Sequence, residues 1–332
     1  MKTVSINVMN LCVPCANRCR YCLLSYDGKT SGVDYLRSEA YAKRFYDWLR
    51  DNRTEMSFLF GFGYSMEHPD LPDAIDFCRS IGSASGEFLQ LDGMKMRSGE
   101  ELENLLKQIS THGIKQINLT FYGTQEYHDR FAARSGDYSL LINTLARANK
   151  IGLAVSVGIA LSHENSGQIE ELILELEQYK TERIYCFVPH SEGRGRLLEE
   201  VRFSKNDFEK LPDNVKRYIN TSVFKTEREW LAGELPVYEK RVLTVTLTRE
   251  NIDFFEKLEF AETIEWLEKM DDEYYNAIPA FPELAELYGD LNGEKYYSAR
   301  DLYLNYQRRH IEENGLEIYD VNDESHCFSR RF

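Results

Sequence analysis

The run Thr3-Val-Ser-Ile-Asn-Val-Met9 leads, two residues later, into Cys12-Val-Pro-Cys15-Ala-Asn-Arg-Cys19-Arg-Tyr-Cys22. The first segment reads as a strand, and the second sets four cysteines on the loop that follows it. The last three have the spacing C-x3-C-x2-C. Thiolates packed this densely can converge on one soft metal centre, and three of them leave one iron of a four-iron cluster without a protein ligand. An open iron is a place for a substrate or cofactor. A loop directly after a strand lies at that strand's carboxyl end, where parallel α/β and barrel folds put their chemistry. Two other centres compete for the motif: zinc wants four ligands in C-x2-C pairs, and a ferredoxin wants a fourth thiolate followed by Pro downstream. Both fit the spacing less well. Cys12, which makes a C-x2-C pair with Cys15, is a candidate fourth ligand that would close the site the other three leave open.

Outward from the loop, short β-rich runs alternate with amphipathic stretches through the first 200 residues, the pattern of a parallel sheet covered by helices. The expected strands are Thr3 to Met9, Glu55 to Phe60, Glu87 to Leu91, Ile114 to Phe121, Leu153 to Ala160 and Arg183 to Val188. Apolar spacing predicts helices over about 38–51, 72–80, 98–112, 137–150 and 167–180. That makes six βα-like units and an α/β fold. Ser98 with Glu101, Ser204 with Asp207 and Ser298 with Asp301 read as helix-start pairs, and Gly315 after Asn314 as a helix stop. Beyond residue 200 the alternation lapses into helix-rich sequence with one strong strand, Arg241 to Thr248, a Tyr-rich stretch at Tyr274 and Tyr275, and a helix over 298–313. The predicted division is 1–200 and 201–332. No internal repeat or low-complexity linker separates the two parts, so the second is expected to pack against the first.

The chain has 332 residues, 42% hydrophobic and 29% charged, enough for an ordinary core and unlike a disordered or membrane composition. No apolar run is long enough to span a bilayer and Met1-Lys2-Thr3-Val4 carries no signal-peptide pattern, so the expected location is the cytoplasm, with no membrane partner. A formal charge of −15 argues against nucleic acid, whose binding depends on Lys and Arg releasing counterions. Seven cysteines, four of them crowded together, fit metal binding in a reducing compartment better than a disulfide framework.

With Tyr21 in the aromatic slot before the last cysteine, the complete signature, strand then C-x3-C-x-aromatic-C, resembles the radical S-adenosylmethionine (radical SAM) enzymes. The resemblance implies a partial parallel (β/α)6 barrel with a helix-rich C-terminal extension. It implies Cys15, Cys19 and Cys22 as ligands of a [4Fe-4S] cluster, S-adenosylmethionine on the fourth iron, and reductive cleavage to a 5′-deoxyadenosyl radical that abstracts a hydrogen atom. It also implies a flavodoxin- or ferredoxin-type electron donor, and leaves oxidoreductase or transferase open as the class.

The segment Phe58-Leu-Phe-Gly61-Phe-Gly63-Tyr-Ser65-Met-Glu67-His-Pro-Asp-Leu71 stands where family members have a Gly-Gly-Glu-Pro turn that receives the cofactor's amino group. The match is one of position, since the glycines are separated and further residues are inserted before Glu67. By it Gly61, Gly63, Ser65 and Glu67 are candidate cofactor contacts beside Tyr21; an ordinary strand-to-helix turn is the alternative. Asn118 to Gly136 resembles the fourth-strand segment of the peptide-modifying branch, which makes Thr120 and Arg134 candidates for the cofactor carboxylate, with Tyr122 replacing the usual acid. His128 and Asp129 read as helix braces. The loop Val188-Pro-His-Ser-Glu-Gly-Arg194-Gly-Arg196 resembles a Pro-x-Gly-Arg-Gly loop of the same branch, or is a turn with solvated arginines. Relatives often carry further clusters in a C-terminal extension; here that region holds only Cys327, too few thiols for one. Cys78 and Cys186 read as buried apolar residues, and Cys186 on the sixth strand is also a candidate hydrogen-atom donor. The expected substrate is a peptide or protein, with a small metabolite or nucleotide as the alternative. A non-catalytic iron–sulfur or zinc protein is the reading from another class.

Overall fold

β1 (Thr3–Val8) shows the rule that organises both sheets: Val4 and Ile6 are fully buried on one face, and Ser5 is on the other. The protein is described as a computed structural model, covering residues 3–8, 15–22, 33–61, 66–191, 193–236, 242–249 and 251–318. The further strands are β2 (Ser57–Gly61), β3 (Phe88–Gln90), β4 (Gln116–Phe121), β5 (Ala154–Ala160), β6 (Arg183–Phe187), β7 (Phe224–Thr226), β8 (Val242–Leu247) and β9 (Tyr296–Ser298). The covering helices are α1 (Tyr35–Asn52), α2 (Leu71–Ser80), α3 (Gly99–Thr111), α4 (Gln125–Ala132), α5 (Asp137–Ile151) and α6 (Ile169–Leu176). All six predicted strands and all five predicted helices of the first 200 residues form, with ends shifted by a few residues.

The parallel ladder runs β2-β1-β8 in one sheet and β3-β4-β5-β6 in the other. Among the described residues β2 and β3 do not pair. One hydrophobic cluster nevertheless joins the two sheets, from Val4 and Phe58 through Leu119 and Val157 to Val245. Within each of these sheets the strands run parallel because the crossovers carry helices, which hide one face of the sheet.

The other face is polar. Gln116, Asn118 and Thr120 of β4 alternate with the fully buried Ile117, Leu119 and Phe121, and Ser156 of β5 and Thr244 and Thr246 of β8 repeat the pattern. Register puts these residues side by side, Asn118 against Ser156 and Ser5 against Thr244. They satisfy one another: the Asn118 amide donates to Gln90 Oε1 at 2.7 Å, and the Tyr185 hydroxyl donates to Asn118 Oδ1 at 3.4 Å. A buried parallel sheet ordinarily reads as continuous apolar sequence, so a polar face implies an interior that accommodates hydrogen-bonding groups.

Several features lie outside the sequence expectations, three of which bear on the packing. α4 was not foreseen, because eight largely polar residues are too few to display a helical period. The long helix Phe260–Ala277 also escaped, its buried stripe of Ile264, Leu267 and Tyr274 being interrupted by the buried Asp271. β7 and β9 form an antiparallel pair within the C-terminal region. The helix starts hold, with reciprocal capping boxes at Ser98 and Ser204. At Ser298 only half the box forms: Ser298 Oγ accepts from Asp301 N–H, while the Asp301 carboxylate binds Ser191 and Arg202 instead. Gly315 ends the last helix, Ala299–Asn314, in the left-handed conformation.

Candidate functional site

The loop Cys15–Cys22 is tied down by backbone on three sides. Ala16 N–H donates to Gly93 C=O at 2.8 Å, just past β3. Arg18 and Arg20 N–H donate to the carbonyls of Ala132 and Phe131, groups that the end of α4 leaves without helical partners. Cys22 C=O in turn accepts from Arg194 N–H at 3.0 Å, in the loop after β6. The loop is therefore held by the segment after β3, the end of α4 and the loop after β6. Gly93 is required: its φ is +71°, and a Cβ there would lie 2.4 Å from Cys15 Sγ.

A buried network fixes the middle of the loop. Asn17 Nδ2 donates to Asp137 Oδ2 at 2.8 Å, and Arg134 Nη1 donates to Asn17 Oδ1, Met94 C=O and Asp137 Oδ1. His128 Nδ1 accepts from Tyr122 N–H at 3.3 Å, so its Nε2–H is the one that donates to Asp137 Oδ2 at 3.1 Å. Asp129 caps α5 by accepting from Gly136 and Tyr138 N–H. His128 and Asp129 are thus braces, as the sequence reading has them.

The three thiols share this setting. Burial pushes Cys15 up to about 11, against a backbone hydrogen bond at Asn17, and burial raises Cys19 still further. Cys22 adds a repulsion to the ionisation of both, and Cys15 to that of Cys19. Cys19 Sγ and the Tyr122 hydroxyl are 3.3 Å apart, and Cys15 Sγ donates to Asn17 C=O at 3.8 Å. Among the described residues no three His, Cys, Asp or Glu side chains stand close enough to enclose a metal ion. The donor set still fits a thiolate-ligated cluster. Three thiols on one short loop already feel one another's charge, and the backbone of Gly93 is drawn up against one of them. To hold such a centre they would have to turn from these hydrogen bonds and lose their protons.

Asp92 is a candidate site residue that sequence reasoning missed. It follows β3, and burial pushes its carboxyl up to about 7 against hydrogen bonds from Thr120 and Gln90. Asp92 Oδ1 accepts from Thr120 N–H at 2.9 Å, and its charge acts on Cys15, Cys19 and Tyr122. The available signal was an acid and a glycine directly after a strand, Gln90-Leu-Asp92-Gly93.

Cys15, Cys19, Cys22, Tyr21 and Thr120 come together here. The Tyr21 ring packs 5.4 Å from Tyr122 and 5.8 Å from Phe131, and Tyr122 donates to its hydroxyl at 3.4 Å. Thr120 Oγ1 accepts from Gln90 Nε2 at 3.1 Å. Arg134 is adjacent but engaged in the network above. Gly61 ends β2, whereas Gly63 and Ser65 lie outside the described residues, as do Cys12 and Cys327. Glu67 braces the loop after β3, accepting from Lys95 N–H at 2.9 Å and pairing with Arg97 at 2.8 Å. Cys186 is not brought to this group: register sets it beside Ile159 on the apolar face, where burial alone pushes its thiol up to about 12. Cys78 is fully buried, its thiol on Phe60 C=O.

No described helix is long and apolar enough to cross a membrane. A family model described as the Radical SAM superfamily matches residues 9–176. A stretch of 77 residues, 23% of the chain, is 30% identical to the GTP 3′,8-cyclase of Caulobacter vibrioides, and covers 22% of that relative's length. Among solved structures, SuiB of Streptococcus suis bound to S-adenosylmethionine is similar at 13% identity and a TM-score of 0.42, over 65% of this chain and 44% of that one. Coproporphyrinogen III oxidase of Escherichia coli is similar at 10% identity and a TM-score of 0.44, over 93% and 90%.

Proposed function

From the premise that this chain belongs to the radical SAM superfamily of enzymes, we propose that it holds one [4Fe-4S] cluster and cleaves S-adenosylmethionine to start hydrogen-atom abstraction from a peptide or protein. The observation that carries this is the loop Cys15–Cys22, three thiols on a segment tied to Gly93 after β3, to the end of α4 and to Arg194 in the loop after β6. When bound, the cluster supplies the electron that splits the cofactor's sulfonium into methionine and a 5′-deoxyadenosyl radical. The chain's own residues bind and orient. Cys15, Cys19 and Cys22 are the ligands, and the Tyr21 ring packs on Tyr122 and Phe187 in the cluster that also holds Cys19. Gly61, Gly63, Ser65 and Glu67 are assigned to the cofactor's amino-group side. Thr120 is assigned to its carboxylate, and Arg134 joins only by leaving Met94 C=O and Asp137.

Residues 1–200 are read as the radical-forming core and 201–332 as an extension without ligands for a further cluster. The extension is built into the core, since β8 lies parallel beside β1. The electron would come from a flavodoxin- or ferredoxin-type donor. The peptide assignment rests on the likeness of Asn118 to Gly136 to the peptide-modifying branch. A second reading, a small nucleotide substrate, is favoured by the 30% identity over 77 residues to a GTP cyclase.

Anaerobic reconstitution should give about four irons per chain, and reduction in the presence of S-adenosylmethionine should release 5′-deoxyadenosine. Two irons per chain, or no nucleoside with any reductant, would sink the proposal. Mass spectrometry of candidate peptides, with GTP and other nucleotides as a parallel series, decides between the substrate classes.

A further inference from the structure

We propose that Arg194, in the loop after β6, binds an anionic group of the substrate, a carboxylate or a phosphate. Its Nε and Nη2 are buried and have no hydrogen-bond partner. A guanidinium has five N–H donors and no way to lose its charge, so nitrogens removed from water without an acceptor are costly and call for an explanation. The other arginines around the cysteine loop are matched. Arg18 donates to Cys15 and Asn17 carbonyls, Arg20 pairs with Glu164 at 2.5 Å, and Arg134 holds Asp137. Arg202, eight positions further on, donates from Nε to Tyr296 C=O at 2.8 Å, pairs with Asp301 and lies 3.9 Å over the Tyr297 ring. Acidic residues outnumber basic ones 55 to 40 in this chain, yet none of the described ones pairs with Arg194.

The loop is also built rather than loose. Ser191 N–H donates to Asp301 Oδ1 at 2.6 Å and Arg308 Nη1 donates to Ser191 C=O at 2.6 Å, both from the helix Ala299–Asn314. Gly195 turns back so tightly that a Cβ would meet His190 C=O at 2.0 Å. Arg194 N–H is fixed to Cys22 C=O, so the residue carrying the unmatched nitrogens is joined directly to the loop of three thiols. Nε and Nη2 form the side of a guanidinium that grips a carboxylate or phosphate with two parallel hydrogen bonds. The anion site stands on geometry alone; calling its occupant the substrate rests on the radical-enzyme reading above.

The test is calorimetric titration of the reconstituted enzyme, saturated with S-adenosylmethionine, with two probes, inorganic pyrophosphate and glutarate. At least one should bind the wild type, roughly ten- to a hundredfold more weakly in Arg194→Gln, and with intermediate affinity in Arg194→Lys, which keeps the charge and loses the fork. Should the Gln variant fail to fold, the weakening in Arg194→Lys carries the test. Affinity for S-adenosylmethionine should be the same in all three proteins. The proposal is overturned if neither anion binds the wild type, or if the variants bind them as tightly as wild type does. Loss of cofactor affinity in Arg194→Gln also overturns it, because the cofactor's own carboxylate is then the occupant. Release of 5′-deoxyadenosine by the wild type is measured separately, so failure of the radical reading is told apart from failure of the anion site.

Discussion

At the scale of single residues, the thiols and Asp92 are distinguished by burial. Cys22→Ala should lose most of its iron after reconstitution and release no 5′-deoxyadenosine while keeping its far-UV circular dichroism, since backbone hydrogen bonds rather than thiols tie the loop to its neighbours. Loss of the fold instead would mark a structural metal site. Asp92 makes a different prediction. Its carboxyl is raised from 3.8 to about 7, so between those values the folded state holds a proton that the unfolded state has released. Stability therefore falls as pH rises through this window, by at most about 1.4 kcal/mol per pH unit from this group, and no further above it. Asp92→Asn should flatten the dependence between pH 4.5 and 7, as read from denaturant midpoints beside wild type. An unchanged slope would mean that Asp92 is ionised throughout. The cysteines stood out as candidates because spacing is a local property of the sequence. Asp92 did not, because an acid after a strand is common and only the burial contributed by distant segments raises it.

At the scale of elements, what holds the site is how helices end and begin. α4 stops at Ala133 in the left-handed conformation and hands its last carbonyls to Arg18 and Arg20; Asp129 then starts α5. Asp129→Ala removes two acceptors from the first turn of α5 and should cost about 1–2 kcal/mol in stability, seen as a lowered thermal midpoint. Gly93→Ala should do more than destabilise. Both the positive φ and the 2.4 Å approach to Cys15 Sγ forbid the methyl group, so the loop must shift and iron per chain should fall along with the midpoint. A variant that is destabilised but fully loaded would show that the loop adapts. Strands and longer helices were readable from period and caps, whereas α4 was too short to carry a period and is held by what packs on Tyr127, His128 and Phe131.

At the scale of the whole molecule, the C-terminal region contributes to the core and to the site's outer loop. β8 extends the sheet from β1, and Asp301 with Arg202 pins the loop after β6 from the far end of the chain. Asp301→Ala leaves Arg202 buried with a charge it can no longer match, and should cost about 3–5 kcal/mol by denaturant unfolding. Arg202→Met combined with Asp301→Ala should recover part of that loss, because no lone buried charge remains. Equal losses in the single and double variants would deny the pairing. By itself the sequence determined the α/β alternation, the C-x3-C-x2-C loop and its place after the first strand, because periodicity and spacing are local properties of a chain. Only the tertiary structure decided that β8 joins β1, that Arg134 is spent on Asn17 and Asp137, that Cys186 faces the core, and that Arg194 is left unmatched beside Cys22. Each of these depends on which distant group fills the space around a side chain, and that is set when the elements pack.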